Sequence, residues 1–251
     1  MGSDLFTKWL ETAAAKSHAG ITLYTERPGA RVLGLSVLKK LLCEHFVGEE
    51  TILQAGGFSK SAAIIENSLP INKRTRSGDL GELLATEYLN SETSFVVPIK
   101  KLRWKSDRET PMHGNDVIGV DSKAKPVRVV KGECKSRAAF SEAAVEEAVV
   151  ALNMHNGRPN PSTLAFITKR LYEEKRDIEA KVFQDLQCEG AFSAKNLSHL
   201  IFVLAGSDPC PHLAKQVNSE HFGIKRESAA IVVNDHGAFV AEVYKTHGAG
   251  S

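Results

Sequence analysis

Residues 111–137 read PMHGNDVIGVDSKAKPVRVVKGECKSR, and this stretch decides the fold. Val117, Ile118 and Val120 mark one strand, and Val127, Val129 and Val130 a second. Between them Asp121-Ser122-Lys123-Ala124-Lys125-Pro126 is rich in turn formers and charge. Asp116 opens the first strand, and the second ends in Glu133-Cys134-Lys135. Side chains alternate along a strand, so Glu133 and Lys135 share one face and Cys134 takes the other. With Asp121 opposite Pro126, Asp116 lies opposite Lys131 and Glu133 is its diagonal neighbour. The hairpin is expected to gather two carboxylates and a lysine at one strand end.

That grouping suits phosphodiester cleavage. Mg²⁺ is usually held by one or two carboxylates together with water and phosphate. The ion acidifies a water and neutralises charge on the phosphate. A neighbouring lysine orients the water and offsets developing negative charge. The plainer reading is a surface hairpin with ordinary charged residues, since a quarter of the chain is charged. The flanks favour the site: Glu133 and Lys135 end a valine-rich strand, where charge is out of place without a task.

Asp116 and Glu133-Cys134-Lys135, with Gly81-Glu82 upstream on a helix, resemble the PD-(D/E)xK nuclease superfamily. In place of the proline of that motif's name, Gly114 and Asn115 precede Asp116. More narrowly, GDLGELLATEYL, MHGNDVIGV and KGECKSR resemble the nuclease-subunit family of the Hachiman antiphage system, which works with a helicase. The resemblance covers residues 77–153. It implies a core of helix, three-stranded meander, helix and further strands. It also implies that Asp116 and Glu133 bind Mg²⁺ (or Mn²⁺), that the Cys134 carbonyl adds a ligand, and that Lys135 positions the attacking water. Glu82 would be a further catalytic and metal-binding carboxylate, directly or through water. The residues themselves offer another role, because Asp79-x-x-Glu82 is a capping box with Asp79 as N-cap. Glu87 is expected on the solvated face of the same helix.

Residues 93–104 are expected to form the first meander strand, with Phe95, Val97 and Ile99 inward and Pro98 marking an edge or bulge. Lys100, Lys101, Arg103, Trp104 and Lys105 follow, and Arg137 lies just beyond the motif. Cations interleaved with an aromatic suit a nucleic-acid groove, where Arg and Lys meet phosphates and an aromatic stacks on a base. A solvated strand end with a core tryptophan explains the run equally well. His113 reads as a turn residue and His45 as a packed or surface one.

At 251 residues the chain suffices for one substantial domain or two small ones. A formal charge of +2 does not advertise nucleic acid, so any basic surface must be local. Four cysteines without pairing spacing argue against a disulfide framework and a zinc ribbon. No apolar run has transmembrane length and no secretory leader is evident, so the expected setting is cytoplasmic, away from any membrane. There is no G-x-x-x-x-G-K-[ST] and no G-x-S-x-G, so an ATP-driven step must come from another chain.

Elsewhere, helices are expected over 5–15, 35–46, 58–69, 77–89, 141–153 and 164–187, the last as one long amphipathic helix. Strands are expected over 21–24, 31–33, 200–204, 229–233 and 239–244, with Asn234-Asp235-His236-Gly237 as a hairpin turn.

The expected fold is α/β or α+β with a mixed sheet on a restriction-endonuclease-like core. Residues 1–70 would be an appended helical and strand layer, 71–246 the nuclease domain and 247–251 a disordered tail. The expected function is a metal-dependent endonuclease acting on DNA, the effector half of an antiphage system with an ATP-dependent helicase partner. The alternative is a non-catalytic nucleic-acid-binding or regulatory subunit of such a helicase complex. An unrelated hydrolase with a coincidental E-x-K is a third reading.

Overall fold

The computed structural model describes residues 4–14, 20–188, 190–217 and 222–245; the expected tail at 247–251 lies outside them. Six strands form one mixed sheet: β1 (Leu10–Thr12), β2 (Ile21–Glu26), β3 (Val117–Asp121), β4 (Arg128–Arg137), β5 (Leu197–Ala205) and β6 (Lys225–Val232). Their order is β1-β2-β6-β5-β4-β3. The four central strands run parallel, while β1 and β3 are antiparallel edges. The mixed α/β class expected from the sequence is the class observed. The residues before position 70 supply two of the strands, β1 and β2.

Helices cover both faces. On one lie α1 (Leu5–Trp9), α2 (Arg31–Phe46), α5 (Lys73–Glu92) and α10 (His236–Val243), packed on Leu200, Phe202, Leu204, Ala229 and Ile231. On the other, α6 (Glu142–Asn153) and α9 (Cys210–Val217) pack on Ile201, Val203 and Ala230. Beside them α7 (Pro161–Glu173) and α8 (Asp177–Asp185) cover Ile118, Val129 and Leu197. Two short helices, α3 (Glu49–Gln54) and α4 (Phe58–Ser68), follow α2, and Ile65 of α4 packs at the edge of the first layer. The unbroken apolar run of β5 follows from burial on both faces.

Helix α5 carries the most weight for the site. Leu80, Leu83, Leu84 and Leu89 are buried, and each such leucine contributes about 1.5–3 kcal/mol. Gly81 faces β4: a Cβ there would make ordinary contact with the Ser136 Cβ at 3.5 Å. Glu82, next along the helix, is thereby held near the end of β4.

Several expected elements differ. The strand expected over 93–104 is one bridge, Val96 to Val120, followed by a 3₁₀ turn at Lys101–Trp104. The Asn90 side chain takes the Val97 N–H, and Pro98 has none to give. Residues 31–33 begin α2 rather than form a strand; Gly34 admits the Trp9 indole, which a Cβ would meet at 2.5 Å. The expected helix over 5–15 is the short α1 followed by β1. The long helix over 164–187 is the pair α7 and α8. Lys175 turns between them at φ 57°, so Leu171 and Phe183 enter one core. Ile178, in the first turn of α8, is exposed. Residues 239–243 belong to α10, with Tyr244 as its C-cap, and not to a strand, because Asp235 caps the helix by accepting from the Ala238 N–H. Phe239, Val240, Val243 and Tyr244 recur at helical spacing and form one buried face.

Candidate active site

The β3–β4 hairpin pairs Val117 with Gly132, Ile118 with Lys131 and Asp121 with Arg128. Continued one step, this register sets Asp116 across from Glu133, two residues away from the expected partner Lys131. The shift preserves the faces, because side-chain direction repeats every two residues. It brings the two carboxylates nearer than the expected register did. Asp116 is pinned there: its Oδ2 accepts from the Cys134 N–H at 2.8 Å.

Glu133 and Lys135 point the same way, as expected, and the Lys135 ammonium donates to Glu133 Oε1 at 3.0 Å. Lys135 also stands 4.0 Å from Glu147 on α6, and Arg137 3.5 Å from the same carboxylate. Cys134 faces the other side of the sheet, against the core beneath α5. Burial is the main influence that raises Glu133, to about 7; Asp116 raises it further, and Lys135 acts against both. Burial and the neighbouring Asp116 and Glu82 carboxylates push the Cys134 thiol well up, leaving only its backbone carbonyl suited to a hard cation.

Glu82 is no helix cap. Helix α5 begins earlier than expected, at Lys73, where Asn72 caps it by accepting from the Arg74 N–H. Asp79 lies in the helix interior and pairs with Lys105 at 2.8 Å, both largely buried. Glu82 instead faces Lys101, whose ammonium is 3.2 Å from Glu82 Oε2. That oxygen is out of solvent and, despite the short separation, receives no well-aligned hydrogen bond. Burial raises Glu82 to about 8, with Asp116 and Asp79 adding to the rise and Lys101 opposing it. Glu87, expected in solvent, is buried and bonded to His45 at 2.9 Å.

The basic run is largely engaged within the protein. Lys100 pairs with Glu44 at 2.7 Å and Arg103 donates to the Glu44 carbonyl. Lys101 donates to the Asn115 carbonyl at 2.7 Å, one residue before Asp116. Trp104 lies under the Arg170 guanidinium, 4.0 Å from the ring centre. Of the cations expected to contact nucleic acid, Arg137 is the most open, its side chain 42% exposed. His113 is exposed.

The donor chemistry fits a hard divalent cation. Asp116, Glu133 and Glu82 crowd negative charge into a partly dry space, and one carboxylate oxygen there lacks a hydrogen bond. Among the described residues, no three His, Cys, Asp or Glu side chains are close enough to share one ion. Two carboxylates with a backbone carbonyl, water and substrate oxygens still suffice for Mg²⁺.

Sequence reasoning missed two residues that hold this site. Asn115 accepts from the Asn160 N–H through its side chain and donates its own N–H to Thr163, tying the start of β3 to α7. Lys101 was read as a contact for nucleic acid; only its distance from Asp116 along a folded chain reveals its place among the carboxylates.

The HamA family profile matches residues 16–247. The chain belongs to the HamA family. It is also 29% identical over 157 residues to the Hachiman protein HamA of Bacillus cereus, a match covering 62% of this chain and 55% of that protein. The chain thus matches little more than half the length of this curated relative. No helix among the described residues is long and apolar enough to cross a membrane.

Proposed function

We propose that this HamA-family protein is a Mg²⁺-dependent nuclease with a restriction-endonuclease-like core, cutting DNA as the effector of an antiphage defence system. The observation that carries the reading is the placement of Asp116 across from Glu133, with Lys135 bonded to Glu133 on the same face. Asp116, Glu133 and the Cys134 carbonyl would hold the ion, Mg²⁺ or Mn²⁺. The bound ion supplies acidification of water and neutralisation of phosphate charge. The Lys135 ammonium orients the attacking water and offsets charge developing on the phosphoryl oxygens. Attack at phosphorus breaks the bond to one sugar oxygen, with no covalent enzyme intermediate. Glu133, bonded to Lys135, sets where that ammonium can reach. Arg137, open to solvent beyond the site, is placed to meet a flanking phosphate.

The name of the curated relative supports a role in a Hachiman system, and the family resemblance adds an ATP-dependent helicase as partner. The chain has no phosphate-binding loop of its own, so ATP hydrolysis would lie with that partner. The test is incubation of the purified chain with linear and single-stranded DNA, with Mg²⁺ or EDTA, alone and with the helicase and ATP. Cleavage that needs Mg²⁺ and is lost in Glu133→Gln and Lys135→Ala supports the reading. Cleavage unaffected by either substitution rejects it.

A further inference from the structure

Two carboxylate–ammonium pairs flank Asp116. On one side Lys135 holds Glu133 at 3.0 Å, and on the other Lys101 stands 3.2 Å from Glu82. Asp116 lies between them: the hairpin register sets it across from Glu133, and Lys101 is bonded to the carbonyl of Asn115, one residue before it. A central carboxylate with one more on each side is the layout that bridges two divalent ions, which in two-metal sites stand about 3.5–4 Å apart. Here the half containing Glu82 already contains a cation.

Lys101 is well anchored there. It sits on the 3₁₀ turn Lys101–Trp104, its side chain is 13% exposed, and it donates to the carbonyl of Asn115 at 2.7 Å. Asn115 is itself fixed through Asn160 and Thr163. Leu102, the next residue, is buried and helps seat the turn. The ammonium therefore does not swing freely between solvent and site.

Charge counting gives the same result. Glu82, Asp116 and Glu133 contribute three negative charges when ionised, and Lys101 and Lys135 two positive ones. The Asp79–Lys105 pair beside them is neutral as a unit. One divalent ion leaves the cluster with a single positive charge, suited to an entering phosphodiester. A second would raise it to three in a partly buried space, where like charges repel strongly.

We propose that Lys101 takes the place of a second metal ion, making this a one-metal site in which Glu82 serves the lysine and does not ligate the ion. The inference rests on the metal-site reading above and specifies its stoichiometry. It assigns Lys101 as a positioning residue, holding Glu82 and the Asn115–Asp116 backbone.

Mn²⁺ titration of the full chain, read by electron paramagnetic resonance and by calorimetry, tests it without reference to cleavage. The wild type should bind one Mn²⁺ per chain, and Lys101→Met should bind two. Lys101→Arg should restore one. Glu82→Gln should retain the single ion, which keeps the test decisive if Lys101→Met fails to fold by circular dichroism. Two ions in the wild type, or one in a folded Lys101→Met, would overturn the inference while leaving the metal site standing. Loss of the ion in folded Glu82→Gln would overturn it too, by making Glu82 a ligand. No ion bound by the wild type would reject the metal site itself and the inference with it.

Discussion

Lys101 and Lys131 are both lysines with little or no exposure, and they sit in opposite electrostatic surroundings. Lys131 is on β4, two residues before Glu133, and it is fully buried. Its ammonium donates to the backbone carbonyls of Leu152, Met154 and Arg158, at 2.8, 3.0 and 3.0 Å. The Leu152 oxygen lies in the last turn of α6 and that of Met154 at its C-cap, where carbonyls lack helical partners and favour a cation, and Arg158 follows in the next loop. Burial dominates and lowers Lys131 to about 8, with Glu133 pulling weakly the other way. For Lys101 burial also acts to lower the value, but Glu82 and Asp116 outweigh it and the net shift is upward. Burial alone thus does not mark a functional lysine. Lys131 fastens a helix to the sheet, while Lys101 belongs to the carboxylates.

The widest separation between these roles should appear at the catalytic end of β4. Glu133→Gln and Lys135→Ala should each lower DNA cleavage by about a thousandfold or more, since the first removes a proposed ligand of the ion and the second the positive charge aimed at the reacting phosphate. Both should keep the wild-type circular dichroism spectrum. Glu133→Gln should also melt no lower than wild type in EDTA, because it relieves repulsion with Asp116. If either variant cuts normally, the catalytic group lies elsewhere.

Lys131→Met should show the converse pattern. It leaves three carbonyls without their donor, and a loss of about 3 kcal/mol in urea unfolding is expected. Its Mn²⁺ stoichiometry should match wild type. A stable Lys131→Met with altered metal binding would erase the distinction between the two lysines.

A smaller effect is expected one residue on. A Cβ on Gly132 would meet the Val117 Cγ1 at 2.3 Å, inside the pairing that sets Asp116 across from Glu133. Gly132→Ala should cost about 2 kcal/mol through overpacking and disturb metal affinity as well. Unchanged stability and affinity would show that the hairpin register tolerates movement at this point.

What the sequence disclosed depended on range. The hairpin and the shared face of Glu133 and Lys135 follow from period-two alternation, a local property, and both are observed. The run from 200 to 204 also announces its burial, because apolar residues on both faces leave no other reading. Register is harder: the turn residues between Asp121 and Arg128 do not count themselves into loop and ladder, and the observed pairing differs from the expected one by two residues. Asp79 and Glu82 form a local capping pattern, yet their partners Lys105 and Lys101 lie some twenty residues away and override it. Residues 239–244 carry their buried side chains at helical spacing, which a strand reading overlooks; the Asp235 cap starts the helix and packing on α2 and α5 holds it. Nothing local could report that the basic run after Pro98 turns inward.

The smallest effect concerns the strand beside Lys131. In the parallel register Lys131 pairs with His199 on β5, which pairs in turn with Arg226 on β6, so three basic side chains form a buried row. The Nε2 of His199 lies 2.8 Å from the Gly157 carbonyl, which requires the proton on that nitrogen. Burial chiefly holds His199 down to about 4; Lys131 and Arg226 lower it too, while the Gly157 bond works the other way. A folded value below the unfolded one, near 6.5, means that the unfolded chain takes up more protons between about pH 6.5 and 4. Stability from this group is therefore present above pH 6.5 and lost as the pH falls toward 4. His199→Gln lacks the titration, so the stability difference between wild type and variant should shrink on acidification, by at most about 1.4 kcal/mol per pH unit. Urea unfolding of both proteins at intervals from pH 7 to 4.5 measures it. A difference that stays constant would place a charged His199 comfortably in the row, and the contrast would then fail, because the row would be tolerating added positive charge beside Lys131 and Arg226.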